Sequence, residues 1–229
     1  MVTHLSFLGF TIAEPMTAFT DLVLALLCFV FFYKFSNGHT MASYFWKLFF
    51  LFMACSTLIG GITHAVFEDH QSLQFLFFWL TMQIFSGLSV LFAQLATIHS
   101  ISIEAIPIYR STKKSILLCK IQFFIFLAAV LFLHNFLVVV VNSTIGFIMV
   151  LYVHALSGSK YGNRSAAFIA LGIFISFLTA IIYTLKISMN DWFNFKDIAH
   201  VIMMISVCII FYGVGLSMNH KEDVEPIQT

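Results

Sequence analysis

Seven long apolar runs separated by short polar stretches constrain this chain more than any other feature. They cover roughly 16–35, 43–67, 73–98, 115–133, 136–157, 165–187 and 196–218. Each is close to the ~20 residues that a helix needs to cross a bilayer core of about 30 Å. Because lipid offers the backbone no hydrogen bonds, and because the runs lack the short alternating segments of barrel strands, they predict helices. The expected fold class is all-α, an integral membrane seven-transmembrane-helix bundle forming a single domain over residues 1–229.

The composition excludes a water-soluble domain. Hydrophobic residues make up 61% of the chain and charged residues 9%, against about 25% charged in soluble domains. No basic cluster indicates a nucleic-acid partner. The four cysteines lie far apart within apolar runs, which is typical of buried small side chains rather than redox or metal sites. We expect a multi-pass protein of the plasma or inner membrane whose partner is membrane lipid.

The distribution of positive charge predicts the orientation. Nine of the 11 Lys and Arg residues fall near the first, third and fifth connections or in the C-terminal tail. The positive-inside rule then places the N-terminus outside and the C-terminus in the cytoplasm. Termini on opposite sides of the membrane agree with an odd number of spans. Residues 219–229 are expected to form a polar cytoplasmic tail.

With this orientation, the polar residues within the spans gather near the outer surface. Asp21 lies about two turns into the first span, His64 near the end of the second, and Asp197 and His200 in the first turns of the seventh. Ionisable residues inside a membrane are expensive and mark functional sites by default. We therefore expect these four side chains to converge on one site beneath the outer surface.

The residue types leave several chemistries open. Imidazole and carboxylate groups suit a zinc-type metal or a proton relay. Asp197 can instead begin a helix by complementing its dipole, and His64 can be an interfacial residue wetted by the neighbouring loop. Glu14, just before the first span, is expected to be a solvated loop residue, and His154 a residue near a span end.

The stretch TIAEPMTAFTDLVLAL, residues 11–26, resembles the first span of alkaline ceramidases, where an I-A-E-F motif is followed by polar residues. Those enzymes belong to the CREST superfamily of seven-span membrane proteins, and chain length, span count and orientation are similar here. In that family a Ser-x-x-x-His in the second span and a His-x-x-x-His in the seventh hold zinc. The zinc polarises an amide carbonyl and activates water.

Carried over by position, the resemblance assigns zinc ligation to His64 and His200 and places Glu14 at an acidic position linked to calcium. Two positions depart from the pattern. Gly60 occupies the position of the serine in the second span, and Lys196 occupies the position of the first histidine in the seventh span. Asp197 or Asp21 can complete a set of two histidines and a carboxylate. We therefore name His64, His200 and Asp197 as candidate metal ligands, and Asp21 and Asp197 as candidate catalytic residues.

Three functions follow as hypotheses. The first is a membrane-embedded, zinc-dependent hydrolase of lipid amides or esters. The second is a non-enzymatic receptor, scaffold or lipid-binding protein of the same fold, which the missing ligands favour. The third is a small transporter, which is disfavoured because the sequence has no internal repeat and no interrupted helix at mid-depth.

Overall fold

The computed structural model describes residues 4–7, 10–35, 40–67, 69, 71–100 and 112–222. The described part begins with two short antiparallel strands, β1 (His4–Phe7) and β2 (Phe10–Ala13), in which His4 is paired with Ala13. This strand pair was not predicted from the sequence. β2 packs against the second helix and leads directly into the first.

Seven helices follow, and each is long and apolar enough to cross a membrane. They are α1 (Pro15–Lys34), α2 (Met41–Val66), α3 (Leu73–Ser100), α4 (Thr112–Leu133), α5 (Leu137–Tyr161), α6 (Arg164–Leu185) and α7 (Phe195–Glu222). The predicted number of spans is confirmed for the described residues, and the boundaries differ from prediction by at most four residues. Residues 219–222 of the predicted tail belong to α7, whereas 223–229 lie outside the described residues.

Six of the helices form a closed ring. α1 packs against α2 and α7, α2 against α3, α3 against α5, α5 against α6, and α6 against α7. α4 packs on the outside of this ring, against α3 and α5. Consequently α1, α2 and α7, which carry the four predicted site residues, are direct neighbours.

The two ends of the ring differ in character. At the end where α1 terminates, aromatic side chains fill the space between α1, α2 and α7. The Phe31 ring stacks on Phe211 with centroids 4.0 Å apart, and Phe50 meets Phe31 edge-on. We call this the aromatic end. The opposite end, where α1 begins, carries the acidic and basic side chains described below and is called the polar end.

The helices α6 and α7 approach closely through small residues. Ser206 Oγ donates to the carbonyl oxygen of Gly172, and Ser165 Oγ donates to that of Gly213. A Cβ added at Gly213 would lie 2.9 Å from the backbone nitrogen of Ile169. Such close contact through small residues is characteristic of helix pairs in membranes.

One polar residue lies deeper than predicted. His154 on α5 is fully buried toward the aromatic end, where its Nε2 is 3.2 Å from Thr97 Oγ1 and its ring lies near Trp46. The expectation that it lies near a span end, within reach of the surface, was therefore wrong. The cause is that α5 continues to Tyr161 and so carries His154 two turns inside the helix.

Candidate functional site

A cavity of about 190 Å³ opens into the polar end of the ring. Its described walls come from α1, α2, α3, α5, α6 and α7, with α4 contributing none. Asp21, His64 and His200 all line it, as does Lys196. Three of the four side chains that the sequence predicted to converge thus line one cavity, whereas Asp197 is not among its described lining residues.

Glu14 forms the centre of an ion cluster at the mouth of this cavity. Lys196 Nζ donates to both carboxylate oxygens of Glu14, at 2.7 and 2.8 Å, and His64 Nδ1 lies 2.6 Å from Oε2. Burial tends to raise the pKa of the Glu14 carboxyl, but the His64 hydrogen bond and the Lys196 charge outweigh burial and lower this pKa to about 2. The cluster connects the start of α1 to α2 and α7.

The expectation that Glu14 is a solvated loop group was wrong, because its side chain is only 16% exposed. It lies just before the apolar run of the first span, where an acidic side chain is usually solvated, although its spacing to Asp21 places both on one helical face. In the structure Glu14 adopts a left-handed backbone with φ of 45°, a conformation that is strained for a residue other than glycine.

Below the ion cluster, Asp21 and His200 form a second polar contact. His200 Nε2 lies 3.3 Å from Asp21 Oδ1, and His200 Nδ1 lies 2.9 Å from Thr20 Oγ1. Both ring nitrogens of His200 therefore contact polar side chains of α1. Asp21 is almost completely buried, so this contact provides a partner for a carboxylate that would otherwise be costly at that depth.

Two glycines on α2 let the helix approach Asp21. A Cβ at Gly60 would lie 3.1 Å from Asp21 Oδ2, and one at Gly61 would lie 3.1 Å from the carbonyl oxygen of Ala18. Such close contacts through small residues are characteristic of a helix-packing face in a membrane. Gly60 thereby occupies the position where the ceramidase pattern has serine.

Asp197 differs from the other three predicted residues in what its side chain contacts. Its Oδ2 accepts a hydrogen bond from the backbone N–H of Asn194 at 2.7 Å, while Asn194 Oδ1 accepts one from the N–H of Lys196. This reciprocal pattern is that of a helix cap. Asp197 is fully buried and is not among the described residues that line the cavity. The geometry therefore matches the helix-start interpretation that the sequence analysis left open.

Hydroxyl side chains line the middle of the cavity and present mainly lone pairs. Six of them donate their proton to a backbone carbonyl, which cannot itself donate. They are Ser56, Thr57, Ser89, Thr144, Ser176 and Thr179. Because that proton is committed to the backbone, each oxygen has only acceptor capacity left for a molecule in the cavity.

Aromatic rings form the wall of the mouth that lies opposite α1 and α2 in the ring. The Phe136 ring is 5.8 Å from the Trp79 ring and 5.0 Å from the Tyr183 ring, measured between centroids. All three line the cavity. They connect the beginning of α3, the beginning of α5 and the end of α6. Sequence reasoning missed this group because the three rings come from three different helices, and no local pattern shows that these helices bring them together.

Zinc, which the resemblance implies, requires three or four ligands of the His, Cys, Asp or Glu type in one place. Across the described residues no three such side chains are grouped to hold a metal ion. His64 is hydrogen-bonded to Glu14, both ring nitrogens of His200 face Thr20 and Asp21, and Asp197 caps a helix. These side chains do not fit a zinc site in the arrangement described.

The chain matches a protein family over residues 16–219, and that family is described as a family of unknown function, DUF6962. This chain belongs to DUF6962. No curated protein and no solved structure matches the chain. The DUF6962 match includes Asp21, His64 and His200, whereas Glu14 lies just before it.

Proposed function

We propose that this DUF6962 member binds an amphiphilic membrane molecule in the cavity and acts as a lipid-binding protein or receptor. The observation that carries the proposal is the polarity gradient along the cavity. Ionisable side chains lie at the mouth, hydroxyl oxygens in the middle, and apolar side chains such as Leu24, Met53 and Val90 at the bottom. An amphiphile has the same gradient along its own length.

The packing of the aromatic end favours a binding protein over a transporter. Beyond the cavity, the packed rings of Phe31, Phe50 and Phe211 occupy the space between α1, α2 and α7. A cavity at one end of the ring, followed by a packed core, suits a molecule that enters and leaves from the same side. Ligand cavities of this kind, with apolar walls and a few placed polar groups, are typical binding sites.

The test is to identify what copurifies with the protein. The full chain would be extracted in a mild detergent, and its bound lipids analysed by mass spectrometry. Ala180 lines the cavity, so Ala180→Trp should fill it and remove the bound species. Leu178 on the same helix is exposed on the outside, so Leu178→Trp is the matched control and should retain the species. Equal retention by both variants would refute the proposal.

A lipid amide or ester hydrolase, zinc-dependent as the resemblance implies, is the second candidate. Asp21, His64 and His200 line one cavity, so a bound lipid would lie beside a carboxylate and two imidazoles. Those groups are able to act as general acids and bases.

Two measurements separate the candidates. They are the elemental metal content of the purified protein and its turnover of long-chain amides and esters, each compared with a His64→Ala/His200→Ala double variant. The hydrolase requires turnover that the double variant loses, with stoichiometric metal if zinc is used. The binding protein is expected to show no turnover, and the double variant a lower thermal stability.

A further inference from the structure

We infer that the cavity selects a cationic amphiphile, namely an organic ammonium headgroup on an apolar chain. The inference rests on the proposed binding function and specifies its ligand class. Three independent properties of the cavity wall point to such a ligand: its carboxyl group, its hydroxyl acceptors and its aromatic rings.

Among the described residues, the cavity wall carries one carboxyl group, Asp21, which pairs with His200 rather than with Lys196. Lys196 is the described lining residue with a permanent positive charge, and Glu14 holds it by two hydrogen bonds. A cation that enters the mouth therefore finds a carboxyl group whose described partner is a histidine, while Lys196 is held by Glu14.

Most of the hydroxyl oxygens in the cavity wall have only acceptor capacity left. The six hydroxyls whose protons are held by backbone carbonyls offer only lone pairs. An ammonium group is a pure donor with three N–H bonds, so it complements such a wall. A carboxylate or phosphate headgroup has only acceptors and would face these oxygens without a donor.

The aromatic rings at the mouth add a third complement. Trp79, Phe136 and Tyr183 are contiguous and line the cavity. The face of an aromatic ring attracts a cation, most strongly where water is excluded. An ammonium group placed between these rings and Asp21 would have the Asp21 carboxyl group on one side and ring faces on the other. The apolar side chains deeper in the cavity would then hold its alkyl chain.

The experiment compares three probes that differ only in headgroup. Decylamine, decanol and decanoate would be titrated at pH 7 against the full chain in lipid nanodiscs, and apparent affinities taken from the ligand-dependent rise in melting temperature. Decylamine should bind at least about tenfold more tightly than decanol, with decanoate the weakest. Asp21→Asn should weaken decylamine binding by about tenfold and leave decanol within about twofold. Asp191→Asn, on the exposed α6–α7 connection, should change none of the three.

The outcomes separate the ligand class from the binding function. Decanol or decanoate binding as tightly as decylamine, or an unchanged preference in Asp21→Asn, would overturn the cationic ligand while leaving a lipid-binding cavity. If none of the probes binds the wild type, or all bind Ala180→Trp equally well, the binding function itself fails. Should Asp21→Asn not fold, Phe136→Leu provides the second test, since it should weaken decylamine about threefold or more without affecting decanol.

Discussion

At the scale of single residues, Glu14 is the most informative position. It holds a left-handed backbone directly before Pro15, although a residue preceding proline strongly prefers an extended conformation. Strain of this kind persists only where surrounding contacts impose it. Here those contacts are Lys196 and His64, which draw the carboxylate inward. The strained backbone and the ion cluster therefore belong to one local structure.

Glu14 and Lys196 should be energetically coupled. Removing either charge alone should lower the unfolding free energy by an amount that the double removal partly restores. Glu14→Gln leaves the Lys196 ammonium without its counter-ion, and we expect a loss of about 1–3 kcal/mol in unfolding free energy. The Glu14→Gln/Lys196→Met double variant removes both charges, so its loss should be clearly smaller than the sum of the two single variants. Thermal or denaturant unfolding in detergent measures all three. Strict additivity would show that the two side chains are not coupled.

The same carboxylate should make stability depend on pH in a defined window. The folded pKa of Glu14 is about 2, below the roughly 4.3 of an unfolded chain. A lowered carboxylate pKa stabilises the folded state above the unfolded value, and that contribution disappears as the pH falls toward 2. The melting-temperature difference between wild type and Glu14→Gln should be constant above about pH 5 and shrink below about pH 4. A difference that stays unchanged down to pH 3 would contradict the assignment.

At this scale the sequence predicted some residues and missed others for physical reasons. Asp21, His64 and His200 stand out because a polar residue inside an apolar run is rare and expensive. Glu14 does not, because an acid outside the run is usually solvated. Asp197 was conspicuous for the same reason as Asp21, yet its carboxylate satisfies the backbone of its own helix start. Sequence alone does not distinguish a cap from a site.

At the scale of helices, close packing of α6 on α7 shapes one side of the cavity. Gly213 allows that approach, because an added Cβ would press on the backbone of Ile169 and Ser165. Helix number and length were predictable because apolar length alone decides them. The strand pair β1–β2 was not, since two four-residue strands carry too short a pattern, and the pairing of helices around the ring leaves no local signature.

Two glycines on α7 offer a matched test of this packing. Gly213→Ala should destabilise the protein by about 1–3 kcal/mol, since its neighbours are backbone atoms that cannot rotate away. Gly215 has nothing within 4 Å of an added Cβ. Gly215→Ala should therefore be neutral or stabilise by up to about 1 kcal/mol through better helix propensity. Equal melting temperatures for the two variants would contradict the close packing at Gly213.

At the scale of the whole molecule, the two ends of the ring have opposite roles. The aromatic end is packed with rings, and the polar end carries the cavity and its charges. The cation distribution predicts that the polar end faces outward. A receptor or lipid-binding protein with that orientation would take its ligand from the outer leaflet or the outside.

Cysteine labelling on intact cells tests the orientation. Met189 is exposed in the α6–α7 connection, and Ser159 is exposed near the end of α5. A membrane-impermeant maleimide should label Met189→Cys on intact cells and Ser159→Cys only after permeabilisation. The reverse pattern would place the polar end in the cytoplasm and would invert the side from which the ligand enters.

The most direct test of the binding account is an experimental structure of the full chain in lipid nanodiscs. We predict elongated non-protein density in the cavity, with its polar end between Asp21 and the rings of Phe136 and Tyr183. Its tail should extend toward Leu24 and Val90. The same density should be absent from Ala180→Trp. A wild-type cavity that has collapsed, or that contains only isolated water-sized peaks in a map able to show lipid elsewhere, would contradict the account.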